Sequence, residues 1–355
     1  MPLRVGIIGA GAMGSTHARL LRDEVAGAEV VAVADADAGR ARAVAEDGAP
    51  AARVVADGLD LVADPGVDAV LVASPGDTHE RYVRACVAAE RPVLCEKPLA
   101  ATADAARRVV DAEAAGGRRL VQVGFMRRFD PGYAALREAL DARRVGAPVV
   151  VHSIHRNRSV PPGFGTELIL KDTLVHDVDV VRFLLGQEVV RATVHAGRPS
   201  ALAPDGVQDP LVVVLATDAG VVATVEAFVN ARYAYDIRCE VVGETGTLEL
   251  PAPPQPAVGF EDRFAAAYTA ELRAWVAAVG MQTTPTRLTV AVVLVVLTRA
   301  PEVEGSALET RRAAGTHRAG GGISRYRSGT GPRTTPTGPP ERSDAEAASH
   351  TAAPA

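Results

Sequence analysis

Short apolar runs recur through the first third of the chain, each separated from the next by a stretch with helical spacing. The runs are Val5 to Ile8, Val30 to Ala34, Ala69 to Ala73, Pro92 to Leu94 and Leu120 to Val123, and the Ala-rich helical stretches include Ala38 to Asp47, Thr78 to Ala89 and Thr102 to Ala115. Buried strands alternating with helices predict an α/β domain built on a doubly wound parallel sheet, over residues 1–124. In such a sheet ligands gather at the carboxyl ends of the strands, so the segments just after each run carry most of the functional information.

Past residue 124 the pattern changes. One long helical stretch, Thr173 to Leu185, stands among strand-like runs near residues 149–157, 189–196, 210–216, 221–229, 235–242 and 247–250. Consecutive strands with short turns predict a largely antiparallel sheet, and so an α+β second domain over residues 125–280. Pro251, Pro253, Pro254 and Pro256 interrupt the text before a last helical run, Phe264 to Val279. Residues 281–355 have the aperiodic Gly, Pro, Arg, Thr and Ala composition of a disordered tail.

The first strand runs directly into Gly9-Ala10-Gly11-Ala12-Met13-Gly14, and a helical run, Ala12 to Leu21, follows. Gly9 allows the tight turn, Gly11 lets backbone N–H groups approach a pyrophosphate, and Gly14 lets the helix pack closely on the strand with its N-terminus facing the anion. The second strand ends at Asp35, about 20 residues on, where a carboxylate reaches the adenosine ribose. The context of strand, loop, helix and acid marks a dinucleotide site in which Asp35 selects NAD over NADP, with Arg40 close enough to soften the preference.

Charge and length exclude other classes. A net charge of −5 over 355 residues, with no basic run, argues against nucleic acid or an anionic membrane as the main partner. The longest apolar run, Val290 to Leu297, is too short to span a bilayer, and Arg4 and the Gly-rich loop arrive before a signal peptide could form. Cys86, Cys95 and Cys239 have no metal-ligand spacing and read as reduced thiols of a cytoplasmic protein.

Of the 38 basic residues only Lys97 and Lys171 are lysine. A lysine that survives so strong a bias toward arginine points to a need for a compact ammonium. Lys97 lies in Cys95-Glu96-Lys97-Pro98, just past a strand, and is a site candidate; a surface lysine capping a strand is the alternative. Asp172 and His176 stand four apart at the start of the long helix, so both point to one face. A carboxylate beside an imidazole can fix its tautomer and raise its basicity, which suits proton abstraction from an alcohol, although such a pair can equally be a surface contact. The period of two puts Ser153, His155 and Asn157 on one strand face and Tyr233 and Tyr235 on another. Those groups suit a polyhydroxylated ligand, or else simply a solvated face. A metal site of His155, Asp172 and His176 has no ligand spacing to support it, and none is expected.

Several of these segments, taken in order, resemble the Gfo/Idh/MocA family of NAD(P)-dependent oxidoreductases over residues 3–279. They are the Gly-rich start, Ser74-Pro75-Gly76-Asp77-Thr78-His79, Glu96-Lys97-Pro98, and Asp172 with His176. Gly124-Phe125-Met126-Arg127-Arg128-Phe129-Asp130, His155-Arg156-Asn157, Asp172 to Asp177 and Tyr233-Ala234-Tyr235-Asp236-Ile237 are similar to its inositol 2-dehydrogenase branch, as are Asp262-Arg263-Phe264 and Ala267-Tyr268. The resemblance implies an NAD-dependent enzyme that oxidises a ring hydroxyl of inositol to a ketone. It implies that Lys97 hydrogen-bonds the reacting hydroxyl while His176, paired with Asp172, accepts its proton. It places Met126, Arg127, His155, Asn157, Tyr233 and Tyr235 around the substrate. Ala12 and Met13 of the Gly-rich loop, with Ser74, Pro75, His79, Glu96 and Lys97, fall on the cofactor side. It also implies a homotetramer formed through the second-domain sheets. A related polyol or aldose dehydrogenase, or a catalytically weak dinucleotide-binding protein, are the competing readings.

The family continues after its last long helix with another helix and a strand, whereas this chain carries some 70 unfamiliar residues. Leu297 to Glu302, read one base earlier in GC-rich codons, can encode Asp-Ala-Cys-Ala-Arg, which resembles the family's closing helix. A shifted reading frame from about residue 280 is therefore expected, with a natural disordered extension as the competing explanation.

Overall fold

The computed structural model describes residues 1–49, 52–253 and 257–281. Apart from Met281, the expected tail and its change of frame lie outside the described residues. The five apolar runs of the first part become β1 (Leu3–Ile8), β2 (Ala28–Ala34), β4 (Ala69–Val72), β5 (Val93–Glu96) and β6 (Val121–Gly124), and a short strand outside those runs, β3 (Arg53–Val55), is added. Between them lie α1 (Ala12–Asp23), α2 (Ala38–Gly48), α3 (Gly58–Ala63), α4 (His79–Ala88) and α5 (Ala103–Gly116). The strands form one parallel sheet in the order β3-β2-β1-β4-β5-β6. Every residue of β4 and β5 is buried, as a strand covered by helices on both faces requires. The order reverses between β1 and β4, which opens a crevice at their carboxyl ends.

The second part begins with a 3-10 turn, Met126–Phe129, and α6 (Pro131–Asp141), then β7 (Pro148–Arg156) and α7 (Thr166–Leu168). A π-helical turn, Ile169–Leu174, leads into α8 (Val175–Leu185). The strands β8 (Val189–Ala196), β9 (Leu211–Thr217), β10 (Val222–Phe228), β11 (Asp236–Gly243) and β12 (Gly246–Glu249) precede α9 (Phe260–Gly280). The sheet order is β12-β11-β7-β10-β9-β8; β7 and β10 run parallel and the other neighbours antiparallel, which bears out the expected largely antiparallel sheet. Along β7, Val151, Ser153 and His155 are buried while His152 faces solvent, so the period of two sends His155 inward.

Two differences from the helical reading lie close to the second-domain sheet. The helix expected from Thr173 starts at Val175, because the preceding turn is the wider π form. Helix α6 is additional: Asp130 accepts from the N–H groups of Gly132 and Tyr133, and Pro131 occupies the first turn. Asp as N-cap and Pro just inside it are signals that start a helix. Among the described residues no helix is long and apolar enough to cross a membrane.

Helix α9 buries Leu272 and Trp275 completely, and just before them Glu271, whose two carboxyl oxygens have no hydrogen-bond partner among the described residues. Burial first, then the nearby Glu96 and Asp179 carboxylates, push the Glu271 carboxyl well above its ordinary value, so the native state holds a proton that the unfolded chain releases above about pH 4.5. This contribution to stability is complete below pH 4.5 and is lost as pH rises toward the folded pKa, with a slope of up to about 1.4 kcal/mol per pH unit. Glu271→Gln keeps the shape and has no proton to lose. Urea denaturation at pH 5 and pH 8 should therefore show the variant gaining on the parent as pH rises, whereas parallel pH profiles would exclude a protonated Glu271.

Candidate active site

The Gly-rich loop joins β1 to α1 at the crevice. Gly9 has φ +99°, and a Cβ there would lie 2.3 Å from the backbone nitrogen of Ser74. At Gly14 a Cβ would lie 1.9 Å from the carbonyl oxygen of Gly9, so the helix can approach the loop only without a side chain. Gly11 differs from both: its φ is −76°, and a Cβ would meet nothing within 4 Å. It stands at the N-cap of α1 with no side chain capping the helix, which leaves space and N–H groups for an anion. These features fit a dinucleotide.

Asp35 stands at the end of β2. One carboxylate oxygen accepts the Ala10 N–H at 2.7 Å; the other accepts the Asp37 N–H at 2.7 Å and the Arg40 guanidinium at 2.8 Å. Burial alone would raise this carboxyl, but the two backbone donors and Arg40 hold it below its ordinary range. Ser74 shares a 2.6 Å hydrogen bond with Thr78, and Pro75 accepts from the Thr78 hydroxyl. His79 is buried behind these loops, its ring nitrogens 2.7 Å and 2.8 Å from the carbonyl oxygens of Pro98 and Ser74. It ties the two loops together from beneath.

Between the two sheets lies a cleft of about 670 Å³. Met13, Glu96, Lys97, Met126, His155, Asn157, Asp172, His176 and Tyr235 all line it, so the three catalytic candidates and four of the six substrate candidates meet here. A second groove of about 900 Å³, along α4 and α5, holds none of them. Lys97 follows β5, and its Nζ donates to Asp172 Oδ1 at 2.6 Å. Behind it the Glu96 carboxylate is within 2.7 Å of His17 Nε2 and accepts the Lys97 backbone N–H. Burial would raise Glu96, but His17 and Lys97 hold it below its ordinary value. Among the described residues no group of three or more His, Cys, Asp or Glu side chains could hold a metal ion.

Three expectations need correction. Asp172 does not pair with His176: its carboxylate is taken by Lys97, and it sits in the π turn, whose wider winding breaks the four-residue alignment of an α-helix. Arg127 does not line the cleft. It is 1% exposed and donates through Nη1 to Asp177 at 2.8 Å, with Nη2 lying against the His155 ring. Tyr233 is 60% exposed and joins Arg156 and Asp236 outside the cleft, whereas Tyr235 is buried in it. The two tyrosines precede β11, so the strand period does not apply to them.

His176 opens α8 and is almost fully buried. Its Nδ1 is enclosed without a partner among the described residues, which leaves Nε2 for the cleft. Burial first, then the charges of Lys97 and Arg127, push its pKa well below the usual imidazole value, so it is a free base at neutral pH. Asp177, His17 and Tyr268 are additions to the expected site. Asp177 follows His176 directly; a charged residue on the apolar face of a helix is the signal that marks it.

Comparison with known proteins places these features in context. A family model described as an oxidoreductase family with an NAD-binding Rossmann fold matches residues 3–125, and a GFO/IDH/MocA C-terminal domain model matches residues 133–249. Inositol 2-dehydrogenase 1 of Saccharopolyspora erythraea is 51% identical over 288 residues, covering 78% of this chain and 86% of that protein. Inositol 2-dehydrogenase of Agrobacterium fabrum is 48% identical over 285 residues, covering 77% and 84%. The crystal structure of myo-inositol dehydrogenase from Lactobacillus casei, in complex with NAD(H) and myo-inositol, matches with a TM-score of 0.80 at 37% identity, covering 84% of this chain and 92% of that one.

Proposed function

The chain belongs to the GFO/IDH/MocA family of oxidoreductases, and on that premise we propose that it is an NAD-dependent inositol 2-dehydrogenase, oxidising one ring hydroxyl of myo-inositol to a ketone. The observation that carries the reading is the meeting of Lys97, Asp172 and His176 with His155, Asn157 and Tyr235 in one cleft beside the Gly-rich loop. Bound NAD supplies the acceptor for the hydride that leaves the ring carbon with its bonding electrons. His176, uncharged and open to the cleft through Nε2, takes the hydroxyl proton. Lys97 directs its ammonium at the same oxygen and stabilises charge as it develops. Asp172 acts on Lys97, not on His176: the 2.6 Å ion pair aims Nζ. Production of NADH from myo-inositol and NAD by the full-length protein, followed at 340 nm alongside other inositols and aldoses, tests the reading; a larger kcat/KM on an aldose would replace it by the aldose dehydrogenase alternative.

Two further parts of the reading concern assembly and location. On the second sheet Val149, Val190, Val212 and Val222 are exposed, which supports packing into a homotetramer. The free, buried Cys86, Cys95 and Cys239 suit a reducing cytoplasm.

Cofactor choice follows from Asp35. An ionised carboxylate at the ribose accepts from both hydroxyls and repels a 2′-phosphate. Asp35→Ser should shift the ratio of kcat/KM for NAD over NADP toward NADP by about tenfold or more, because the change also frees Arg40 to meet the phosphate. A wild-type enzyme that uses NADP as well as NAD would refute the role given to Asp35.

A further inference from the structure

Behind the cleft the described structure holds a buried trio, Arg127, His155 and Asp177, to which the proton and hydride steps assign no part. Asp177 Oδ2 is 2.7 Å from His155 Nδ1, Asp177 Oδ1 accepts from Arg127 Nη1 at 2.8 Å, and Arg127 Nη2 lies 3.1 Å and 3.4 Å from the two ring nitrogens of His155. Each side chain is at most 3% exposed. Only His155 reaches the cleft.

We propose that Asp177 and Arg127 are positioning residues that lock His155 as the neutral tautomer protonated on Nδ1, so that Nε2 faces the cleft as an acceptor for a substrate hydroxyl other than the one oxidised. An ionised carboxylate can only accept, so the 2.7 Å contact places the ring proton on Nδ1. A neutral imidazole has one N–H, which leaves the Nε2 lone pair as the ring's acceptor, with only the 3.4 Å contact from Arg127 Nη2 beside it. Arg127 is needed because a buried carboxylate by itself would draw a second proton onto the ring, turning the acceptor into a donor. The guanidinium opposes that proton and at the same time compensates the carboxylate, so none of the three is left as an unpaired buried charge. The electrostatic balance agrees: burial, with Arg127 and Lys97, keeps His155 below the usual imidazole value despite Asp177, and Arg127 with His155 keeps Asp177 ionised despite its burial.

An unprotonated Nε2 on the cleft wall selects a hydroxyl. A ring position that carries hydrogen or an ether cannot donate to it, and the nitrogen then keeps only its long contact with Arg127. This inference rests on the polyol reading, and its first test needs no substrate. Long-range 1H–15N correlation on the full-length protein, with the His155 signals assigned by their loss in His155→Gln, should show a protonated Nδ1 and an unprotonated Nε2; a ring protonated on Nε2 in the wild type overturns the proposal.

The second test is Asp177→Asn, which is isosteric and can donate its amide N–H to Nδ1, driving the proton to Nε2. KM for myo-inositol should rise about tenfold or more with a smaller change in kcat, and NAD affinity should be unchanged. The preference for inositol over a deoxy-inositol lacking the hydroxyl read by His155 should shrink across a series of such analogues. A purely structural role would lower activity on every analogue alike, and an unchanged preference throughout the series overturns the proposal. Failure of the wild type to oxidise any inositol would count against the function and leave the tautomer measurement to decide this inference.

Discussion

Lys97→Met and His176→Ala should each lower kcat by a factor on the order of 10² or more, the usual loss when a proton acceptor or charge-stabilising group is removed. Cofactor affinity should be nearly unchanged, because the Gly-rich loop and Asp35 are intact in both variants. Isothermal titration with NAD and steady-state rates with myo-inositol measure the two quantities separately. Activity within a few-fold of the parent would remove that residue from the reaction. Asp172→Asn should cost less than loss of Lys97, since it frees the ammonium without deleting it. The direction of the His176 shift adds a pH signature: the acid limb of kcat/KM should lie below the ordinary imidazole value, because burial and two neighbouring cations disfavour the charged ring. A limb at or above neutrality would count against His176 as the base.

The second large effect separates two glycines of one loop. Gly14→Ala puts a Cβ 1.9 Å from the Gly9 carbonyl oxygen, so the α1 backbone has to move; a stability loss of about 1–3 kcal/mol and a marked fall in NAD affinity should come together. Gly11→Ala meets nothing within 4 Å and needs no unusual φ, so the free protein should keep its Tm. Its Cβ nevertheless occupies the space through which a pyrophosphate approaches the helix N-terminus, and NAD affinity should fall by about tenfold or more. Thermal melts with and without NAD distinguish the two. Equal behaviour of both variants would mean that the loop does not bind the cofactor in this way.

How much of this is legible in the text depends on the range of the interactions involved. The parallel sheet is legible because each buried strand is an uninterrupted apolar run, and Lys97 is legible because it combines a strand-end position with the near absence of other lysines. The second sheet is legible as a class but not as an order, since β7 pairs with β10 and β11, which lie some 70 to 95 residues further on. The partner of Asp172 is not legible, because helical spacing assumes α winding and the chain there is a π turn. Arg127 and Tyr233 are misplaced for a related reason. Residue type suggests contact with a polyol in both cases, yet a buried carboxylate claims Arg127, and the two tyrosines fall outside the strand that would have given them a common face.

The Lys97–Asp172 pair has a consequence for motion. It connects the end of β5 with the turn before α8 and so works as a latch across the cleft. Any excursion that parts the walls breaks the latch and releases Nζ from its aim, so a gaping molecule is unarmed. Asp172 remains 44% exposed, which keeps the cost of opening low and leaves the latch open to weakening by dissolved salt. The aim of Nζ and the contact between the two walls therefore stand or fall together.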